Sequence, residues 1–483
     1  MTPDELFRDI PHEVLREGDG RAITSVVIDS RKVGDGCLFV CLRGLKVDGH
    51  GFASEVAEKG AAALLVDRAS DDYPAGLRVV RVDDTRKALS PLAANCCGRP
   101  ADALRLFGVT GTNGKTTVTY FLEAILRQTG SVGLIGTLGA RLDGVAADIP
   151  YETSTTPDPP ELQRILAYMR DGGASDVVME VSSHALALYK LAGIRFAVGV
   201  FTNITQDHLD FHGTMDNYLE AKTRLFGQCA SGVINADDAR AASVMASARC
   251  NWLTYGIENA CDLRASNIEQ LTDGSSFDVE IDGKEERFSI PARGRFNVYN
   301  ALAAIGAALA AGVPITHIKN GLARAPGVPG RIQSVQNRKG AHVLVDYAHS
   351  PDGLANIINA VRDFTKGRVI TLFGCGGDRD AAKRPIMGRV AGELSDYCIV
   401  TSDNPRSEAP DEIIRQIVAG LSETSCPFET LPDRRAAIFR GAAMAGAGDA
   451  LIIAGKGHER TQIIGGEVLP FDDVEVAREA LSE

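Results

Sequence analysis

Residues 104–117 read Leu-Arg-Leu-Phe-Gly-Val-Thr-Gly-Thr-Asn-Gly-Lys-Thr-Thr, and the rest of the chain is organised around them. An apolar strand over 104–109 runs into a turn bearing Gly111 and Gly114, then Lys115, two hydroxyls and the helical pattern of 118–126. Strand, glycine turn and helix in that order make a phosphate loop. The glycines let successive backbone N–H groups converge on a phosphate oxygen, and the helix N-terminus adds its positive dipole end. Lys115 adds a full charge, and Thr116 is placed to hold Mg²⁺. ATP is the ligand such a loop implies. It departs from the standard pattern once: Val109 stands where a glycine belongs, five residues before Gly114, with Gly108 and Gly111 on either side.

The chain has 483 residues, enough for roughly three domains at ~150 residues each. Its 45% hydrophobic and 24% charged content is that of an ordinary globular protein with ample core. A net charge of −12 argues against a general nucleic-acid or membrane-surface role, so an anionic substrate has to be met by local Lys and Arg. The ten cysteines show no Cys-x-x-Cys and no zinc or disulfide spacing, which fits reduced, mostly buried thiols. The amino terminus lacks the basic and apolar regions of a signal peptide, and no apolar run approaches the ~18 residues needed to cross a bilayer. A cytoplasmic location is expected.

Residues 1–97 alternate short strands with helical stretches and read as a small α/β domain without a phosphate loop of its own. Residues 98–332 hold the loop. Two further strands there end in polar clusters, Glu180-Val-Ser-Ser-His184 and Thr202-Asn-Ile-Thr-Gln-Asp-His208-Leu-Asp-Phe-His212. Ligands of open parallel sheets sit at the carboxyl ends of strands, so Glu180 and His208 are expected beside the Mg²⁺ at Thr116. His208 and His212 could form half a zinc site, but no third ligand lies at a familiar spacing, and His212 reads as a hydrogen-bonded structural histidine. Asp207 and Asp210 serve equally as turn or cap residues. Residues 262–290 alternate around Asp273-Gly274 and Asp282-Gly283, which predicts a small flanking antiparallel sheet. Two prolines and two glycines over 326–330 mark a linker. From 333 to 483 a new βα alternation predicts a Rossmann-like domain. Its glycine-rich end, 374–380, is a weak dinucleotide signal without the acidic partner that NAD binding needs. The fold class expected is α/β in three domains.

With these residues in hand, the chain resembles the Mur ligases, ATP-dependent amide-forming enzymes of bacterial cell-wall precursors. The markers are Thr110-Gly111-Thr112-Asn113-Gly114-Lys115-Thr116 with Thr117, Glu180 to His184, Thr202-Asn203 with Asp207 to Asp210, Gly294-Arg-Phe-Asn-Val-Tyr-Asn300, Asp346-Tyr-Ala-His-Ser-Pro-Asp352 and Gly455-Lys-Gly-His-Glu459. They run in order over nearly the whole length. Within that family, Asp403-Asn404-Pro405-Arg406 resembles the motif of members that add meso-diaminopimelate to UDP-N-acetylmuramoyl-L-alanyl-D-glutamate. Diaminopimelate differs from lysine by a carboxylate at its far end, which a guanidinium fork can bind bidentately.

The resemblance implies roles residue by residue. Lys115, Glu180, His208 and Lys222 are implied as catalytic. Thr116, Glu180 and His208, with Lys222 once carbamylated by CO₂, are implied as holding Mg²⁺. The loop 110–117 with Asn300, Arg331 and Asp346 is implied for ATP. Ile28, Ser30, Leu45, Lys46 and Val47 are implied for the UDP end, and Ser154, Thr155, Thr156, Ser182 and Lys190 for the muramoyl-dipeptide. Lys190 stands where some relatives carry Arg, so it keeps the charge and loses the fork. Arg379, Asp403, Asn404, Pro405, Arg406, Gly455 and Glu459 are implied for diaminopimelate. The implied chemistry is phosphorylation of the D-glutamate carboxylate by ATP, then capture of the acyl phosphate by the amine. The alternatives are the same reaction with L-lysine, a folylpolyglutamate-synthase-like ligase, and, from another class, a P-loop switch that joins nothing. Small molecules are the expected partners, with no nucleic acid, no membrane insertion and a monomeric chain.

Overall fold

Every residue of the strand Arg105–Thr110 except Arg105 is buried, and its side chains alternate between two apolar layers: Leu106 faces one, Phe107 and Val109 the other. A strand apolar on both faces belongs inside a parallel sheet covered by helices. The computed structural model, which describes residues 1–44, 47–151, 155–271 and 274–482, places it so. Arg105–Thr110 is flanked by Asp176–Glu180 on one side and Phe196–Phe201 on the other, both parallel to it.

That sheet has eleven strands. Cys229–Asn235 and Asn251–Gly256 continue it in parallel beyond Phe196–Phe201. The expected antiparallel strands, Leu263–Leu271, Gly274–Ile281 and Lys284–Ile290, follow on the same edge. They join the main sheet through a short parallel pairing of Tyr255 and Gly256 with Leu263 and Arg264. The helices Lys115–Leu126, Arg295–Ala310 and Ile315–Ala323 cover one face, and Pro159–Asp171 and Met215–Thr223 the other. Small residues set the spacing: a Cβ on Gly321 would lie 2.4 Å from the Ile125 Cα.

The first ninety-odd residues form a five-stranded sheet. Four strands are parallel, and Glu13–Arg16, which the sequence reading did not mark, adds antiparallel to Arg78–Arg81. The last segment holds a six-stranded sheet in the order Gln333–Val335, His342–Asp346, Ala450–Ala454, Val369–Phe373, Tyr397–Val400, Phe428–Thr430. It is parallel except for its first strand. A separate hairpin, Thr461–Ile464 with Glu467–Pro470, lies beside it. Among the described residues, no helix is long and apolar enough to cross a membrane.

Phe107 is fully buried in the apolar layer that also holds Val109, Phe121 and Val298. Phe107→Ala is expected to cost about 3–5 kcal/mol, read as a lower urea midpoint for the transition that includes the central sheet.

Candidate active site

Two glycines of the loop are forced by what stands opposite them. Gly111 has φ +151°, and a Cβ there would lie 1.8 Å from the Thr202 hydroxyl; Gly114 has φ +88°, and a Cβ there would lie 2.3 Å from Asn300 Oδ1. The loop is pinned to the next strand end by backbone and side chain together. Thr112 N–H donates to Asn203 O at 2.9 Å, Asn113 N–H to Asn203 Oδ1 at 2.9 Å, and the Thr202 hydroxyl to Asn113 O at 2.6 Å.

Glu180 is the buried hub. It accepts from the Thr116 hydroxyl at 3.1 Å, from Thr137 N–H at 2.9 Å and from the Thr137 hydroxyl at 3.1 Å. Its backbone oxygen accepts from the Thr156 hydroxyl at 2.9 Å, which in turn receives Ser182 N–H at 3.0 Å. Thr155 meets Thr137 hydroxyl to hydroxyl at 3.0 Å, and the Ser182 hydroxyl caps the helix Ser183–Ala187. The structure therefore gathers Thr116, Thr155, Thr156, Glu180 and Ser182 at one place.

Two ammonium groups converge on the loop carbonyls. Lys115 donates to Gly111 O at 3.0 Å and Thr112 O at 2.9 Å, and Lys222 donates to the same Gly111 O at 2.8 Å. Burial lowers both pKa values, that of Lys222 far more, with the Lys115 charge adding to the effect. Lys222 lies 4.4 Å over the Tyr218 ring. Burial likewise pulls His208 down to about 3. Its ring stands edge-on to His184, with centroids 4.9 Å apart, and Nε2 is 3.5 Å from Asp207 Oδ2. His212 bonds the Ser183 hydroxyl at 2.9 Å.

Among the described residues, no three His, Cys, Asp or Glu form a group that could hold a metal alone. The Thr116 hydroxyl and Glu180 carboxylate, in contact at the loop mouth, are hard oxygen donors. Such a pair suits Mg²⁺ when nucleotide phosphates supply further ligands.

Beside the loop, a cavity of about 550 Å³ is lined by Asn113, Gly114, Thr117, Asn300, Arg331 and Asp346 among others. Arg331 lies 4.8 Å over the Tyr347 ring. Asp346 receives Ile332 N–H at 2.7 Å and Ala348 N–H at 2.8 Å, and burial raises its pKa. A larger cavity of about 1070 Å³ is lined by Ile28, Ser30 and Val47, with Arg86, Asp158 and Arg164. The last three were not marked from sequence. Lys190 is held by Asp158 at 2.7 Å. Leu45, Lys46 and Ser154 lie outside the described residues.

In the last segment, the Asn404 amide donates to Glu459 at 2.8 Å. Arg406, with φ +53°, donates to Gly377 O at 2.6 Å. Asn404 N–H donates to Asp403 at 2.6 Å. A Cβ on Gly455 would lie 2.6 Å from Asp403 Oδ2, so that glycine lets two strand ends approach. Arg379 is exposed at the rim. Lys456, fully buried, bonds Asn404 Oδ1 at 3.1 Å and Glu459 at 2.9 Å. It was not singled out from sequence, where a lysine is solvated by default.

Asp207 joins the two halves. It lies 3.7 Å from His349 Nε2 and 3.5 Å from Lys383 Nζ. Burial pushes its pKa up, but His349, Lys383 and His208 outweigh that and hold it below the usual carboxylate range. The Asn113 amide donates to Asp352 at 2.8 Å, so the phosphate loop itself touches the last segment.

A phosphate loop with a buried carboxylate, faced across a cleft by a second α/β sheet that carries its own cationic strand ends, defines an enzyme of the nucleotide-driven α/β class. Comparison with known proteins narrows this. Family models match in order: Mur ligase family, catalytic domain, over residues 22–96; Mur ligase middle domain, over 109–308; and Mur ligase, glutamate ligase domain, over 330–457. The UDP-N-acetylmuramoyl-L-alanyl-D-glutamate--2,6-diaminopimelate ligase of Caldanaerobacter subterraneus subsp. tengcongensis is 43% identical over 481 residues, covering 99% of this chain and 98% of that protein. The ligase of the same name from Clostridium botulinum is 41% identical over 488 residues, covering all of both. A solved structure of a UDP-N-acetylmuramoyl-L-alanyl-D-glutamate--2,6-diaminopimelate ligase superposes with a TM-score of 0.66 at 33% identity, over 95% of each chain. The chain belongs to the Mur ligase family.

Two outcomes follow from the geometry. Gly114→Ala drives a methyl into Asn300, so nucleotide affinity is expected to fall at least about tenfold in a titration while the circular dichroism stays unchanged. His212, held by burial at about 4 against an ordinary 6.5, is neutral in the folded chain. Its contribution to stability is complete above pH 6.5 and is lost as pH falls toward 4; His212→Gln should flatten that part of the stability profile.

Proposed function

We propose that this chain is an ATP-dependent ligase that joins meso-diaminopimelate to the D-glutamate carboxyl of UDP-N-acetylmuramoyl-L-alanyl-D-glutamate, a step of peptidoglycan-precursor synthesis in the cytoplasm. Its division at 1–97, 98–332 and 333–483 assigns the UDP end, ATP and the amino acid to successive domains. One observation carries the reading: Asn404 bonds Glu459, Arg406 of the same turn bonds Gly377 O, and the phosphate loop touches that half of the molecule through Asn113 and Asp352.

In this reading the loop N–H groups, Lys115 and Arg331 hold the ATP phosphates, and Asn300 and Asp346 hold adenine and ribose. Thr116, Glu180 and His208, with Lys222 as its carbamate, would hold Mg²⁺, which neutralises phosphate charge when bound. The low pKa of Lys222 supports the carbamate, because CO₂ reacts with a neutral amine. Thr155, Thr156, Ser182 and Lys190 orient the muramoyl-dipeptide so that its D-glutamate carboxylate oxygen attacks the γ-phosphorus, giving an acyl phosphate and ADP. Glu459 takes an ammonium of diaminopimelate. Arg406 and Arg379 take its carboxylates, with the turn Asp403-Asn404-Pro405 and the open backbone at Gly455 shaping the floor. The free amine attacks the acyl carbon, the tetrahedral intermediate collapses, and phosphate leaves with the amide formed.

The test mixes ATP, UDP-muramoyl-dipeptide and single amino acids, and follows product and phosphate. Diaminopimelate is expected to give product, and L-lysine far less. Arg406→Ala should abolish use of diaminopimelate and leave ATP affinity within about twofold, since its guanidinium lies in the other half of the cleft. Equal turnover of lysine, or unaltered use of diaminopimelate by the variant, would refute the assignment.

A further inference from the structure

Arg406 is an L-residue in the left-handed region, φ +53°, an unfavourable conformation that persists only where neighbours over-determine it. The neighbour is the hairpin 461–470. Arg406 N–H donates to Ile463 O at 3.0 Å, and Gly465 N–H donates to Arg406 O at 2.7 Å, so the turn is paired as if it were a third strand. Ile463 N–H donates to Asn404 Oδ1 at 3.0 Å, and the Gln462 amide donates to Asp403 O at 2.8 Å. The hairpin has little other employment. Its outer strand Glu467–Pro470 is exposed throughout, and Gln462 is the one buried residue of its inner strand. Gln462 is therefore buried for the sake of a carbonyl in the amine-selecting turn.

We infer that the hairpin 461–470 is a specificity splint: Gln462 and the backbone of Ile463 and Gly465 fix the turn 403–406 so that Arg406 presents its fork to a second carboxylate. Gln462 is a positioning residue. The inference rests on the ligase reading above and deepens it, because discrimination between a diamino acid with a terminal carboxylate and one without then depends on residues that touch neither.

The test uses the full-length enzyme and steady-state phosphate release with ATP, UDP-muramoyl-dipeptide and either meso-diaminopimelate or L-lysine. Gln462→Met keeps the shape and removes the donor. The KM for diaminopimelate is expected to rise about tenfold, as for one lost buried hydrogen bond, with kcat and the KM for ATP within about twofold. The preference over lysine should fall by a similar factor. An unchanged KM for diaminopimelate, or a parallel rise in the KM for ATP, overturns the splint. A wild type that releases no phosphate with diaminopimelate overturns the ligase reading itself and is seen before any variant is made. Hydrogen exchange on the wild type gives a reading independent of variant folding. The Arg406 and Gly465 amides should be protected together, and an Arg406 amide exchanging at the rate of an unstructured residue overturns the splint.

Discussion

A carboxylate almost wholly removed from water, Glu180, is the constraint on which the central half of the molecule depends. Burying such a group without partners costs several kcal/mol, so the chain must bring donors to it. It does so from two directions, the helix after the phosphate loop through Thr116 and the neighbouring strand end through Thr137, while at its own strand end Thr156, itself bonded by Ser182 N–H, donates to the Glu180 backbone oxygen. Satisfying one acid therefore fixes the relative placement of the phosphate loop and two adjoining strand ends. The same oxygens remain close enough to the loop mouth to meet a cation brought with a nucleotide.

The two halves facing the cleft are joined through that same mouth. Asp207 sits next to His208 and takes both His349 and Lys383 from the far side, while Asn113 of the loop bonds Asp352. A buried ion pair such as that of Asp207 with Lys383 is a poor source of net stability, but it is strict about geometry, since losing one partner leaves a charge stranded. Placed here, these contacts make the position of the last segment dependent on the arrangement around the loop. A reactive acyl phosphate needs such dependence, because it must form only where water is shut out and the amine is at hand.

Much of this was legible in the chain because its signals are local. The strand before Gly111, the helix after it and the alternation around Asp282-Gly283 follow from periodicity and turn chemistry, which tertiary contacts reinforced rather than overrode. Glu13–Arg16 was missed because an edge strand that is exposed or half-buried carries no alternation to read. The hairpin carried a usable sign, Gly465-Gly466 between two short apolar runs, that was not taken up. Asp207 was ambiguous for a deeper reason: a turn aspartate and an ion-pair hub look alike until residues far along the chain are seen to face it. The same holds for Lys456, whose burial is set by Asn404, more than fifty positions away.

The interior cations show what separates binding from scaffolding. Lys456 is compensated by Glu459, and the fully buried Arg434 by Asp473, while Arg434 also holds Ser402 O and Ala454 O. These charges are neutralised within the chain, and what they contribute is the spacing of two strand ends. Lys115 and Lys222 instead rest on the neutral carbonyls of Gly111 and Thr112, and burial drives both toward losing their protons. A cation bonded to carbonyls rather than to a carboxylate keeps more of its field available to an incoming anion, or surrenders its proton and becomes a nucleophile. Lys456 and Arg434, paired with carboxylates, thus set the spacing of strand ends, whereas Lys115 and Lys222 bond carbonyls at the phosphate loop of a chain whose net charge is −12.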